Sequence, residues 1–184
     1  MLKKWQTNSE KNIGNFRIFQ LNSAQRINPS NQKIGEFYCL KSPNWVNIMP
    51  ITKDNKIVFV KQYRHGSDSI TIELPAGIIE PNEEPIAAAR RECVEETGYE
   101  SNLSPEFLGT ILPNPAFMNN NCYCYFWKDC ERKFEQSLDE FEDIEVLLLS
   151  VEETKDKIKS GEINHSLAVC NLLKYFFEIE NKSN

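Results

Sequence analysis

The chain has 184 residues, 40% apolar and 11% aromatic, which suits one packed domain with an appendage and argues against global disorder. Its 21 Lys and Arg against 27 Asp and Glu leave a net charge of −6, which disfavours nucleic acid and anionic membrane as partners and is compatible with cation binding by carboxylates. No apolar run approaches the ~20 residues of a membrane span, and residues 1–10 (MLKKWQTNSE) lack the apolar stretch of a secretory leader, so a cytoplasmic protein is expected.

In chain order, residues 16–21 and 36–40 alternate as strands do, with Asn28-Pro29-Ser30-Asn31 as turn material between them. Residues 45–49 read as a further strand. Asp54-Asn55 turns the chain into another over 56–62, and residues 70–74 form a short strand stopped by Pro75. Residues 85–97 read as a helix, with Pro85 tolerated in the first turn and Gly98 placed to end it. Strands follow near 107–112, 122–127 and 144–149. Helices over 151–158 and 166–178 close the chain, and the tail from Glu180 to Asn184 is expected to fray. Strands on both sides of a central helix, closed by C-terminal helices, imply an α/β fold with a mixed sheet between helical layers. The six cysteines include no CxxC pair. Cys122 and Cys124 suit one face of a strand better than a zinc knuckle, and reduced structural thiols are expected.

Residues 77–99 dominate the chemistry. On a helical wheel Ile86, Ala89 and Cys93 form a core-facing stripe, Glu92, Glu95 and Glu96 gather beside it, and Arg91 can pair with Glu95. Each like-charged i,i+4 pair costs about 0.2–0.5 kcal/mol in solvent. A hard divalent cation removes that cost, and carboxylates with open water positions suit Mg²⁺ working with phosphates. By itself the acidic pattern fits a solvated helix face better than a metal site.

Its surroundings resemble the box of the Nudix hydrolase family, G-x5-E-x7-R-E-U-x-E-E-x-G-U with U a bulky apolar residue. Gly77, Glu83, Arg91, Glu92, Glu95, Glu96 and Gly98 fill all seven fixed places. At ~5–7% per residue type, chance agreement is on the order of one in a million. Cys93 and Tyr99 depart at the two apolar places, and neither touches the metal chemistry. Beyond the box, Gln62-Tyr63-Arg64, Glu73-Leu74-Pro75-Ala76-Gly77 and Pro115 are similar to the ADP-ribose pyrophosphatase branch. So are Trp45-Val46-Asn47, Asp143-Ile144-Glu145-Val146 and Lys159-Ser160-Gly161-Glu162-Ile163.

The resemblance implies a Nudix-type α/β/α sandwich with a mixed sheet over residues 43–180, preceded by a strand-rich segment over 1–42 that serves dimerisation. It implies a Mg²⁺-dependent hydrolase, with Mn²⁺ as a substitute, that cleaves the pyrophosphate bond of a nucleoside diphosphate sugar, with ADP-ribose giving AMP and ribose 5-phosphate. Glu92 and Glu96 are the implied principal metal ligands, with Glu95 and the carbonyl of Ala76 as further ones. Arg91 orients the glutamates, Gly77 and Gly98 let the backbone turn, and Glu83 anchors the loop before the helix. For substrate, Arg64 is expected to pair with a phosphate, Glu73 to accept from ribose hydroxyls and Trp45 to stack on the base, with Asn120 as a loop contact. A surface arginine, an edge-strand carboxylate and a core tryptophan fit the same positions, and Trp5 is a weaker stacking candidate. His65 and His165 read as solvent-facing or capping residues.

One departure concerns the general base. In several ADP-ribose pyrophosphatases a glutamate in the loop after the branch proline takes the proton, but residues 115–121 here read PAFMNNN. Asn is no base at pH 7. Glu92 or Glu95 is the simpler substitute, and Glu140, Glu142 or Asp143 is the alternative. Two other readings remain: hydrolysis of another nucleotide sugar such as GDP-mannose, and an ADP-ribose-binding sensor without turnover. The partners expected are a nucleotide-sugar substrate and a second copy of the chain.

Overall fold

A computed structural model of the chain describes residues 1–179; the expected fraying of the tail concerns residues outside these. The chain divides into two compact units, one of Met1–Pro43 with Leu112–Asn121, the other of Asn44–Ile111 with Cys122–Asn184. The first unit thus takes in residues 112–121, which the sequence reading leaves inside the second.

The first unit is a three-stranded antiparallel sheet of β1 (Gln6–Phe16), β2 (Phe19–Ile27) and β3 (Ile34–Lys41). The strand expected over 16–21 is corrected here. Phe16 pairs with Phe19 across a tight turn at Arg17-Ile18, so a hairpin closes inside that segment. The turn carries no Gly or Asn, so nothing local announced it; the long pairing of the two strands sets it. The turn at 28–33 was legible, because the Asn28 side chain accepts from the Ser30 N–H (2.8 Å) and Asn31 from that of Lys33 (3.0 Å). Residues 112–121 are sewn to the end of β3: Leu40 N–H donates to Phe117 O (2.7 Å), and Asn119 Oδ1 accepts from Ser42 N–H (3.1 Å).

The second unit is built on an eight-stranded mixed sheet. Its path runs β11 (Ile144–Ser150), β5 (Lys56–Arg64), β4 (Trp45–Thr52), β10 (Cys122–Arg132) and β8 (Tyr99–Glu100). β6 (Ser69–Glu73) pairs with β5, β7 (Ala76–Ile78) with β4, and β9 (Glu106–Ile111) with β10. β4 and β10 run parallel and the remaining pairs antiparallel. The two-residue alternation of a strand divides its side chains between two cores. Val46 and Ile48 of β4, with Tyr125 and Trp127 of β10, meet Ala88, Ala89 and Cys93 of helix α1 (Pro85–Thr97). Met49 and Ile51, with Cys122, Cys124 and Phe126, meet Leu167, Ala168, Leu172 and Phe176 of α3 (Ser166–Glu178). Helix α2 (Val151–Ser160) closes that side, its first turn held by a capping box between Ser150 and Glu153. The result is the expected α/β/α sandwich.

Ile86 is corrected: it is 39% exposed, and Ala88 takes the buried place assigned to it. Ile86 lies in the first turn, at the edge of the contact, whereas adjacent Ala88 and Ala89 let the helix lie close on β4. Among the described residues all six cysteines are free thiols. Burial pushes the Cys93 thiol well up and that of Cys130 up to about 12, which keeps both protonated at neutral pH. No described helix is long and apolar enough to cross a membrane.

Helix α1 ends as its sequence indicates. Gly98 adopts the left-handed conformation (φ 74°), and its N–H donates to Val94 O (2.8 Å). A Cβ there would also run into the carbonyl oxygen of Phe134, whose N–H donates back to Gly98 O (3.1 Å). Gly98→Ala is therefore expected to cost at least ~1 kcal/mol from the backbone conformation alone. That lowers the thermal midpoint by about 2–4 °C or more, and calorimetry of the two proteins checks it.

Candidate active site

The side chains of α1 that face away from the apolar stripe are organised by one arginine. Arg91 donates from Nε and Nη2 to the two oxygens of Glu83 (2.9 and 3.0 Å), and from Nη2 to Ile78 O (3.0 Å). Its Nη1 reaches Glu92 Oε1 (2.8 Å) and Glu95 Oε2 (3.1 Å). Only a guanidinium offers donors in this fan. Glu83 also accepts from the Glu80 N–H (3.0 Å), so it locks the loop ahead of the helix to the helix itself. The Arg91 hydrogen bonds hold the Glu83 carboxyl below its usual value.

Glu92 and Glu96 are in the opposite condition. Burial raises the Glu92 carboxyl, against the charge of Arg91, and Glu95 and Glu142 add to the rise. Glu96 is 5% exposed, and its carboxyl is pushed well above its usual value by burial and by the charge of Glu92. Its hydrogen bond comes from the N–H of Ala76 (3.1 Å) at the start of β7. The strand approaches so closely that a Cβ on Gly77 would meet the end of the Glu92 side chain, so a larger residue there would displace that carboxylate. Two desolvated carboxylates that repel each other beside a bare backbone form a donor set fit for a hard divalent cation. Among the described residues, no three metal-binding side chains converge as a ligand group, and Arg91 pairs with one oxygen each of Glu92 and Glu95.

Arg64, at the end of β5, belongs to the same field. Its charge interacts with Glu96 and Glu142. Its Nε and Nη2 donate to Glu73 Oε1 and Oε2 (2.7 and 2.6 Å), at the end of the neighbouring β6. Burial alone would raise the Glu73 carboxyl, but the hydrogen bonds and charge of Arg64 outweigh it and hold it below its ordinary value. Glu73 is fully buried, with both carboxylate oxygens taken by Arg64.

Trp45 is half-buried and packs against the larger core cluster, as the core alternative held. Asn120 belongs to the first unit, where its Nδ2 donates to Pro43 O (3.1 Å) and its buried Oδ1 has no partner among the described residues. Trp5 packs edge-on against Phe37. His65 is exposed beside Tyr63. His165 occupies the N-cap of α3, but its side chain makes no capping bond, and it faces Glu73, with Nδ1 3.5 Å from Oε2. Nothing in the sequence signalled that approach, since 92 residues separate the two. Glu142 was legible only as one of three loop carboxylates; of those three, its charge is the one that reaches Glu92, Glu96 and Arg64.

Comparison with known proteins agrees with this geometry. The family model described as NUDIX domain matches residues 42–169. A methanol dehydrogenase activator of Bacillus methanolicus is 35% identical over 131 residues, 71% of this chain and 70% of that protein. An ADP-ribose pyrophosphatase of Bacillus subtilis (strain 168) is 30% identical over 159 residues, 84% of this chain and 85% of that one. A GDP-mannose pyrophosphatase of Escherichia coli (strain K12) is 33% identical over 132 residues, 67% and 68% of the two chains. In fold, the crystal structure of an ADP compounds hydrolase superposes with a TM-score of 0.86, at 21% identity, over 99% of this chain and 97% of that one. The arginine-bound glutamates of α1, the family-model match over residues 42–169 and the ADP-ribose pyrophosphatase relative place this chain in the Nudix hydrolase family, as a pyrophosphohydrolase of the ADP-ribose pyrophosphatase-like branch.

Proposed function

We propose that the protein hydrolyses the pyrophosphate bond of a nucleoside diphosphate sugar with Mg²⁺, taking ADP-ribose to AMP and ribose 5-phosphate. The observation that carries this reading is the pair of half-buried Glu92 and buried Glu96, whose charges repel, against the Ala76-Gly77 backbone. Glu92 and Glu96 would hold the metal, with Glu95 and the carbonyl of Ala76 as further ligands; Mn²⁺ would substitute. When bound, such a cation neutralises phosphate charge and makes water a stronger acid.

The chain's own residues do the rest. Arg91 keeps the glutamates aligned from behind. Arg64, with Nε and Nη2 held by Glu73 and Nη1 without a partner among the described residues, presents that nitrogen to a substrate phosphate. Glu92 and Glu95 each give an oxygen to Arg91, so the general base is proposed to be Glu142, which makes no bond to Arg91 and whose charge acts on Glu92.

The choice of ADP-ribose follows the Bacillus subtilis relative, which aligns over the larger share of both chains; the Escherichia coli relative supports GDP-mannose as the second reading. Incubation with Mg²⁺ and a panel of nucleotide sugars, followed by assay of phosphatase-sensitive product, decides between them. Binding of ADP-ribose without product would establish the sensor instead.

The protein is further proposed to act as a homodimer in the cytoplasm. Strands β1–β3 expose Ile13, Phe16, Phe37 and Tyr38, apolar surface that a second copy would cover. Light scattering at micromolar concentration is expected to give twice the chain mass. A monomeric mass with full activity would end the idea.

A further inference from the structure

Glu73 is more enclosed than its partnership with Arg64 requires. It has no exposed surface, it takes both guanidinium donors, and Thr71 Oγ1 donates to the same Oε1 that Arg64 Nε holds. On its remaining side stands His165, with Nδ1 3.5 Å from Oε2, the oxygen bound by Arg64 Nη2. That nitrogen is buried and has no hydrogen-bond partner among the described residues. The backbone of His165 is fixed independently, because its carbonyl accepts the Val169 N–H (3.0 Å) as the first bond of α3. An imidazole is thus held by a helix terminus against the back of a carboxylate whose front holds an arginine.

The orientation has one chemical consequence. Burial keeps the His165 imidazole below its ordinary value, so at neutral pH the ring carries one proton. A lone pair on Nδ1 would face an ionised oxygen and repel it, whereas Nδ1–H faces it as a donor. A contraction of a few tenths of an ångström converts 3.5 Å into a hydrogen bond.

We infer that His165 is a positioning residue of the phosphate site: its Nδ1–H braces Glu73, and Glu73 in turn holds the Arg64 guanidinium with Nη1 turned outward to the substrate pyrophosphate. The inference rests on the reading of Arg64 as a phosphate donor. Without the brace Glu73 retains Arg64 and Thr71, but its carboxylate gains rotational freedom on the His165 side. The guanidinium planar with it then samples more orientations. The cost falls on the placement of the phosphate and not on the metal-bearing glutamates, because His165 touches neither.

The test is a double-mutant cycle with ADP-ribose and Mg²⁺, using the full chain and thermal unfolding to confirm that each variant folds. His165→Ala is expected to raise KM about five- to tenfold, the loss of one hydrogen bond to a charged group, while kcat changes by less than about twofold. His165→Asn, whose Nδ2 stands where the imidazole Nδ1 stood, restores most of the loss. In an Arg64→Ala background the same His165→Ala change adds less than about twofold, since its route to the substrate is gone. Calorimetric affinity for inorganic pyrophosphate follows the same pattern, and that readout is independent of which sugar is cleaved. A KM unchanged in His165→Ala, or an undiminished effect in the Arg64→Ala background, overturns the inference while leaving the role of Arg64 standing. An Arg64→Ala protein with wild-type KM and pyrophosphate affinity overturns the phosphate-donor reading, and the inference with it.

Discussion

Glu96→Gln is expected to lower turnover by at least ~10²-fold, about 2.7 kcal/mol of barrier, and at the same time to raise the thermal midpoint of the metal-free protein at neutral pH. The two effects have one cause. Glu96 is buried beside Glu92, and both carboxyls are raised, so the folded state resists their ionisation. A group whose folded value is raised is ionised more readily in the unfolded chain, so its contribution to stability is present at low pH and is lost as pH rises through the folded value. Glutamine keeps the acceptor for the Ala76 N–H and removes the charge, so the penalty disappears together with the ligand. Mg²⁺ should then raise the midpoint of the wild-type protein and leave that of the variant nearly unchanged. Glu92→Gln behaves alike, with a smaller gain because Arg91 already offsets part of its cost. Thermal unfolding with chelator and with Mg²⁺, alongside the turnover assay, checks both halves. Near-normal activity of both variants at saturating Mg²⁺ would remove these residues from the metal.

The second large effect is expected at Glu142. Replacement by Gln should lower kcat by about 10²–10⁴-fold, the range for loss of a general base, with little change in KM. Glu142 is exposed at the surface and is held by its own loop, its Oε2 accepting the Asp139 N–H (3.1 Å), and its charge still reaches Glu92 and Glu96. Glu95→Gln loses a bond to Arg91 and a prospective ligand, so its defect should shrink as Mg²⁺ rises. A lost base is not rescued by metal. Measuring the pH–rate profile at several Mg²⁺ concentrations separates the two: Glu142→Gln should flatten the acidic limb at every concentration. If Glu95→Gln shows the metal-independent loss and Glu142→Gln retains turnover, the proton goes to the box instead.

Local rules carried much of the second unit. The limits of α1 and α3 agree with the sequence reading to the residue, because Pro85 and Gly98 mark the ends of the first, and the apolar positions of the second repeat with a helical period. The box was equally legible, since seven fixed residues over 23 positions specify a loop, a helix and a cap at once. The fan of Arg91 follows from the same spacing: Glu92 is its neighbour, Glu95 lies one turn on, and Glu83 sits in the loop that the helix start brings back.

What failed or stayed open depended on distant pairing. The hairpin turn at Arg17-Ile18 has no turn residues, and only the register of β1 on β2 places it. The short strands β7 and β8 carry too few residues for a period, and exist because β4 and β10 offer them edges. Ile86 reads as core on a wheel, but which edge of the stripe is covered depends on how closely Ala88 and Ala89 approach β4. Glu73 and Arg64 each looked available to substrate. In the β5–β6 register Glu73 lies opposite Val60 and Arg64 opposite Ser69, so strand pairing puts both on one face and the long arginine side chain closes the remaining distance. His165 arrives from the start of the last helix, and Glu142 from a loop 46 residues beyond Glu96. A sequence states the chemistry that neighbours along a helix or strand must share, because their separation is fixed by the backbone. It leaves to the tertiary structure every pairing whose distance is set by packing, and here those pairings join Arg64 to Glu73 and set His165 beside that carboxylate.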